Sequence, residues 1–349
     1  MEKRLPPGLD KFGTIIMIHA IIQRTKAAVS HCQTGLVSWM PSASIQPRSA
    51  TQRVEETWPP CLPILSRWRN SACDCFDILH WNANSISARA GGWEPLTIFH
   101  LHLSRLILLA PTGPLQTLAS TISVPRAAWT SGDGRRADTA RSQVLRWAVD
   151  DQFKARLAVI HSGALFWHVR RYSIDSFVEP FGIYMATLVL WAYSTSVQSA
   201  TQACKQAAEQ QSATTRAGTG SGSNGPSHCN PSPSLSASAS LPMTGLDECE
   251  PLQFHIDRPC DDEIVQAYVR HGQKMSGLLS QVGDLCQEGA PKRILLQGQQ
   301  IFHRRRRFHA QPSDDRSTAS GNGNTGEFVW GVADGFIDIL RNLAESSGA

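Results

Sequence analysis

From Leu96 to Ala110 the apolar side chains Leu96, Phe99, Leu103, Leu106, Ile107 and Ala110 recur at three- and four-residue steps or their sums, the period of one helix face. Ile98, Leu101 and Leu108 lie off that stripe, so this helix is apolar nearly all round and has to be enclosed by other elements. Pro111 lacks the N–H needed to continue it. The stretch falls short of the roughly 18 to 20 residues that span a bilayer, and it carries His100, His102 and Arg105. Ile183 to Tyr193, the other strongly apolar stretch, is shorter still, so no membrane partner is expected.

The remaining chain supplies helices to cover it. Phe12 to Val29 reads as a helix that begins almost at Met1, with no separate amino-terminal domain expected ahead of it. Residues 30 to 62 are Ser- and Pro-rich and read as a loop or poorly ordered connection. Leu62 to Trp81 places Leu65, Trp68, Cys75, Phe76 and Leu79 toward a core. Thr139 to Val169 reads as one helix, with Leu145, Val149, Phe153, Leu157, Ile160, Ala164 and Trp167 on its buried face. Phe181 to Val197 is apolar almost throughout and should pack centrally.

Beyond it, runs such as AGTGSGSNGPS and SPSLSASAS hold too little apolar surface to offset the entropy of ordering a backbone. Order is expected to return at Phe254, with Asp261, Asp262 and Glu263 favouring a helix start and Ile264, Tyr268, Met275, Leu278 and Val282 on its buried face. Val329, Ala333, Phe336, Leu340 and Leu343 form a last amphipathic helix. No alternating strand pattern and no internal repeat stands out. The expected fold is therefore all-α, an irregular multi-helix bundle with two long disordered insertions. Its parts are a helical region over 1–202, a Ser/Gly/Pro-rich insertion over 203–250, a second helical region over 251–308, a polar segment over 309–326, and a carboxyl-terminal helix over 327–349 that packs on the same domain.

Charge and cysteine usage narrow the function classes. A net charge of +4 over 349 residues is far from the basic bias of a domain that binds phosphate backbones as a whole. Nine scattered Cys lack the dense spacing of a secreted disulfide framework and read as reduced thiols. The amino terminus has basic residues but no apolar run with a cleavage site, so a signal peptide is not expected.

Four stretches of these helices resemble the regulatory region of fungal transcription factors: WRNSACDCFDILHWNANS from Trp68, LTIFHLHLSRLILLAP from Leu96, RWAVDDQFKARLAVIHSGALFWHVRRYSIDSFVEP from Arg146 and IDRPCDDEIVQAYVRHGQKM from Ile256. With the weaker GVADGFIDILRNL from Gly331 they cover roughly 100 of the 349 residues, in the family's order. The chain is similar to the fungal-specific transcription factor domain, and most to members that carry two-Cys two-His zinc fingers upstream. The resemblance implies an all-helical, nonenzymatic domain in a nuclear regulator of RNA polymerase II genes, acting through protein partners, self-association or an effector. It implies no catalytic residue. A two-Cys two-His finger needs C-x2-4-C followed by H-x3-5-H so that four ligands converge on one zinc, and the sequence contains no C-x2-4-C. The six close Cys of a binuclear cluster are missing too. DNA and zinc therefore belong to an absent finger module, and the chain itself is expected to hold no cofactor. A shortened gene model, a fragment and a divergent member without fingers all fit this pattern.

Candidate sites are few. Cys73 and Cys75 lie beside His80, but thiols two positions apart on a helix point about 200 degrees from each other, which favours core thiols over a metal. His100, His102, His161 and His168 sit in apolar helices without a recognisable nucleophile turn and read as structural histidines. Asp257, Asp261, Asp262 and Glu263 lack the EF-hand pattern and read as helix-start charge. Trp68, Trp81, Trp147, Trp167 and Trp191 read as packing residues. Arg304, Arg305, Arg306 and Arg307 form the one dense basic run, a candidate nuclear import signal. The alternatives to a regulatory domain are a finger-less helical adaptor and, from another class, a small-molecule-binding or enzymatic helical protein.

Overall fold

The computed structural model describes Leu5 and residues 8–33, 63–217, 252–310 and 332–347. Among these the fold is all-α in its main body, with ten α-helices and one small sheet. Helix α1 (Lys11–Gln33) starts where the Asp10 carboxylate accepts the Gly13 N–H at 2.6 Å, and it buries Thr14, Ile18, Ile22 and Thr25 along one stripe. Helix α2 (Pro63–Arg89) buries Leu65, Arg69, Ala72, Phe76, Leu79, Ala83 and Ser87 at steps of three and four, and runs past the expected end at Trp81. It stops at Gly91 and Gly92, whose φ of 69° and 86° only glycine adopts readily, with the Gly92 N–H donating back to the Ser87 carbonyl at 2.9 Å.

Helix α3 (Leu96–Leu109) is enclosed as its sequence demands, packing on α1, α2 and α6 (Gln152–Tyr172), with α7 (Glu179–Ala217) beneath it. At its closest approach to α7, a Cβ at Gly182 would meet the Phe99 ring at 2.4 Å. Helix α4 (Thr112–Ile122) follows at once and buries Leu115, Leu118 and Ala119. Its TGP start resembles a turn, yet Pro114 in the first turn gives up only a donor that has no helical partner there.

The single helix expected over Thr139 to Val169 is two. Helix α5 (Asp133–Asp150) ends at Asp151, whose φ of −102° and ψ of 38° leave the helical region, and α6 begins at Gln152. The break is held from afar, because the Asp151 carboxylate accepts Arg69 Nη1 of α2 at 2.9 Å. The buried stripe runs beside the expected one on both helices, leaving Leu157, Ile160, Ala164 and Trp167 of α6 half-buried. The buried face of α5 is Ala137, Ala140, Val144, Trp147 and Ala148, while Leu145, Val149 and Phe153 are 38%, 43% and 50% exposed. Trp147 locks this face to α3 by donating its indole N–H to the Leu109 carbonyl at 2.8 Å. Trp81, expected in the core, is 76% exposed on α2, two positions from Leu79 and from Ala83 and so on the side away from the buried stripe.

Helix α7 is buried without interruption from Ile183 to Ser194. It continues to Ala217, beyond the boundary placed at residue 203, with exposed side chains from Thr201 to Gln210. The rest of the expected insertion over 203–250 and the polar segment over 309–326 lie outside the described residues, apart from the last turn of α9 at 309–310.

After the insertion come the strands that the sequence did not announce: β1 (Leu252–His255), β2 (Met275–Leu279) and β3 (Gly283–Asp284), in that order, β1 parallel to β2 and β2 antiparallel to β3. Helix α8 (Asp262–His271) is the crossover that a parallel pair requires. Of the residues expected on one helix face, only Ile264 and Tyr268 are on α8; Met275 and Leu278 are in β2, and Val282 is in the turn after it. Helix α9 (Ala290–Ala310) packs on α7, and α10 (Ala333–Ser346) packs on α9 and α4, with Phe336 stacked on Tyr184 at 4.3 Å between ring centroids. Ala333, Leu340 and Leu343 of the expected last helix are buried; Val329 lies outside the described residues.

The sheet region meets the helices most tightly at Gly163 of α6, where a Cβ would stand 2.2 Å from the Ile256 carbonyl oxygen and 2.6 Å from its carbon. Gly163→Ala is therefore expected to destabilise the fold by about 1–3 kcal/mol, read as a lowered denaturant midpoint at unchanged slope. An unaltered midpoint would mean that the backbone can move apart there without loss.

Candidate functional site

Two residues apart on a helix, His100 and His102 face opposite ways, and because α3 is enclosed each meets a different neighbour. His100 Nδ1 lies 3.1 Å from His19 Nε2 of α1. His102 Nδ1 lies 3.0 Å from His161 Nδ1 of α6, and its ring meets His80 of α2 edge-on at 4.8 Å between centroids. Seven residues beyond His161, on the same face of α6, His168 is fully buried with Nδ1 3.1 Å from the Glu94 carboxylate. The interface of α1, α2, α3 and α6 thus gathers six imidazoles contributed by four separate helices.

One cation sits among them. Arg105 of α3 is buried, pairs with the Asp77 carboxylate, and brings Nη1 within 3.3 Å of His80 Nδ1. Burial, followed by the charge of Arg105, pushes His80 down to about 4. Burial and then the nearby imidazoles of His19 and His168 push His100 down to about 4 as well. Burial holds His102 and His161 well below the ordinary imidazole range, reinforced by Arg105 and the other rings. These four histidines are consequently neutral near pH 7. A neutral imidazole donates from one ring nitrogen and accepts at the other, so the 3.0 Å contact of His102 with His161 requires complementary tautomers.

Chemically this arrangement is a set of proton acceptors held unprotonated, lodged between helices. Among the described residues no three His, Cys, Asp or Glu side chains are arranged to hold a metal ion. Cys73 and Cys75 are free and half-buried, and burial raises the Cys73 thiol above its ordinary range.

The acidic cluster proposed around residue 260 is divided by the fold. Asp261 is the N-cap residue of α8, and Asp262 and Glu263 lie in its first turn, as expected for helix-start charge. Asp257 is not with them. It is 1% exposed, accepts the Ser280 N–H at 3.1 Å and its hydroxyl at 3.1 Å, and pairs with Arg170 of α6. A second clamp lies alongside, where buried Arg156 of α6 donates to the Val269 carbonyl at 2.9 Å and to Gln273 Oε1 at 3.1 Å.

The basic run sits at the carboxyl end of α9. Arg304 is exposed, with Nη2 3.5 Å from Gln281 Oε1, while the side chains of Arg305, Arg306 and Arg307 lie outside the description. Among the tryptophans, Trp147 and Trp191 are buried, Trp68 and Trp167 are half-buried, and Arg171 lies over the Trp167 ring at 4.0 Å. The convergence of His80, His102 and His161 was visible in sequence only as polar residues inside apolar helices, since nothing local tells which helices will be neighbours. The chain matches no protein-family model, no curated protein and no solved structure.

Proposed function

We propose that this chain is the helical regulatory domain of a fungal transcription factor, controlling RNA polymerase II transcription in the nucleus through a partner, a second copy or an effector. On this reading zinc and DNA are bound by fingers that the sequence lacks. The observation that carries it is the spatial relation of the four strings bearing the resemblance. The first three contribute His80, His102 and His161 to one interface, and the fourth is fastened to the third by the pairing of Asp257 with Arg170 and by Arg156 on Val269. Together these strings supply much of a common core, as segments of one domain would.

The test is functional. The full chain, joined to an unrelated DNA-binding module, is expected to raise or lower a reporter relative to that module alone; unchanged output would overturn the reading. The chain by itself is expected to give no sequence-specific shift of DNA at physiological salt, and specific binding there would point to a reading element within it. The same reading assigns Arg304–Arg307 to nuclear import. Replacing all four with Ala is expected to leave a fluorescent fusion in the cytoplasm, and continued nuclear entry would retire the assignment.

A finger-less adaptor is favoured by one feature. Trp93, 55% exposed, packs edge-on against Tyr172 at the start of a loop bearing Ile174 and Phe177, which are 59% and 81% exposed. Exposed aromatic groups of this kind suit a protein contact. Mature transcripts separate the two readings: paired Cys and His codons at finger spacing, joined in frame upstream, belong to the first alone.

A further inference from the structure

Away from the histidine interface, α4, the turn after it, α5, α7 and the end of α10 surround a cavity of about 490 Å³. That volume lies in the range of small-molecule sites, about 300–1,000 Å³. Its walls are largely apolar, with Trp129, Val144, Leu145 and Trp191 among them. Leu145 explains itself here: an apolar residue that the phase of α5 leaves 38% exposed stands on the cavity wall. Trp191 is 4% exposed, so it offers the cavity a small part of its ring.

Two guanidinium groups also line the cavity. Arg126 lies over the Trp129 ring at 5.6 Å and has no carboxylate partner among the described residues. Among the described residues Arg141 shares only the exposed Asp138, at 3.3 Å. The planar donor fork of Arg matches a carboxylate, while the walls match hydrocarbon or an aromatic ring. We propose that this cavity binds a small amphipathic carboxylic acid, with its apolar body against Trp129, Leu145 and Trp191 and its carboxylate at Arg126 and Arg141. The proposal is independent of any role in transcription.

Decanoate and decanol, titrated calorimetrically into the full chain, test it. Decanoate is expected to bind with one-to-one stoichiometry. The double variant Arg126→Gln/Arg141→Gln is expected to weaken decanoate about tenfold or more, while decanol changes less than about twofold. Thr195→Phe, made at an exposed position on the cavity wall, is expected to abolish both; Leu145→Glu, which sets a carboxylate beside the incoming one, is expected to abolish decanoate binding. Circular dichroism melting establishes that each variant is folded, and Leu145→Glu serves if Thr195→Phe is not. The proposal is overturned if decanoate does not bind, if its affinity ignores the loss of both Arg residues, or if it survives whichever cavity variant is folded.

Discussion

Lowering the pH from 7 to 5 is expected to reduce the midpoint of thermal unfolding by about 10 °C or more. The sign follows from the histidine interface. His80 and His100 are pushed down to about 4, and His102 and His161 lie well below the ordinary value of 6.5. The folded state keeps these rings neutral, whereas the unfolded chain protonates them below about 6.5. The contribution is therefore intact above that pH and is lost as the pH falls below it, for His80 and His100 down to about 4, at roughly 1.4 kcal/mol per pH unit for each ring. Four rings acting together reach several kcal/mol by pH 5, and a domain of this size converts each kcal/mol to about 2–4 °C. His80→Gln/His100→Gln is expected to cut the dependence of the midpoint on pH between 6.5 and 5 by about half, whatever it does to the midpoint at pH 7. A midpoint that is flat from pH 7 to 5 would falsify the neutral state assigned to the interface.

Asp257→Ala is expected to cost about 2–4 kcal/mol, because the half-buried Arg170 partner and both Ser280 donors lose their acceptor together. Asp257→Asn keeps the shape and an acceptor for Ser280 but offers Arg170 no charge, so its cost is expected to be smaller, about 1–3 kcal/mol. The location of the loss is as diagnostic as its size. Asp257 joins β1 to the turn after β2 and ties both to α6, so amide hydrogens such as Ile256 N–H, bonded to the Leu278 carbonyl at 2.9 Å, should exchange faster in Asp257→Ala. Equal protection in the variant and the parent would mean that apolar packing alone holds the sheet in place.

What can be read without a structure differs sharply between the helices and the places where they meet. The presence of α1 and the stripes of α2, α3 and α10 were legible because a helix forms between residues four apart, so the side chains that share its face are already neighbours in the sequence. The buried stretch of α7 was legible for the same reason, and so were the helix-start carboxylates Asp261, Asp262 and Glu263. The end of a helix is less local. Asp151 interrupts a pattern that could have continued, and its partner Arg69 lies 82 residues away. Leu145 and Phe153 followed the helical period but lie beside the stripe that the neighbouring helices cover.

Strand pairing is nonlocal from the outset. Met275 and Leu278 fitted a helical spacing by themselves, and only alignment with Leu252 and His255 across the α8 crossover makes them strand residues. The histidines carry the same lesson into the candidate site. From its own residues the chain determined that it would be helical, that α3, the middle of α7 and one face of α10 would be buried, and that His100, His102, His161 and His168 would sit within apolar helices. That His102 faces both His80 and His161, that Asp257 closes on Arg170, and that Leu145 lines a cavity were decided by tertiary packing. Helical periodicity specifies an orientation about a single axis; which side chains then meet depends on how separate axes dock, and that is set by the whole core at once.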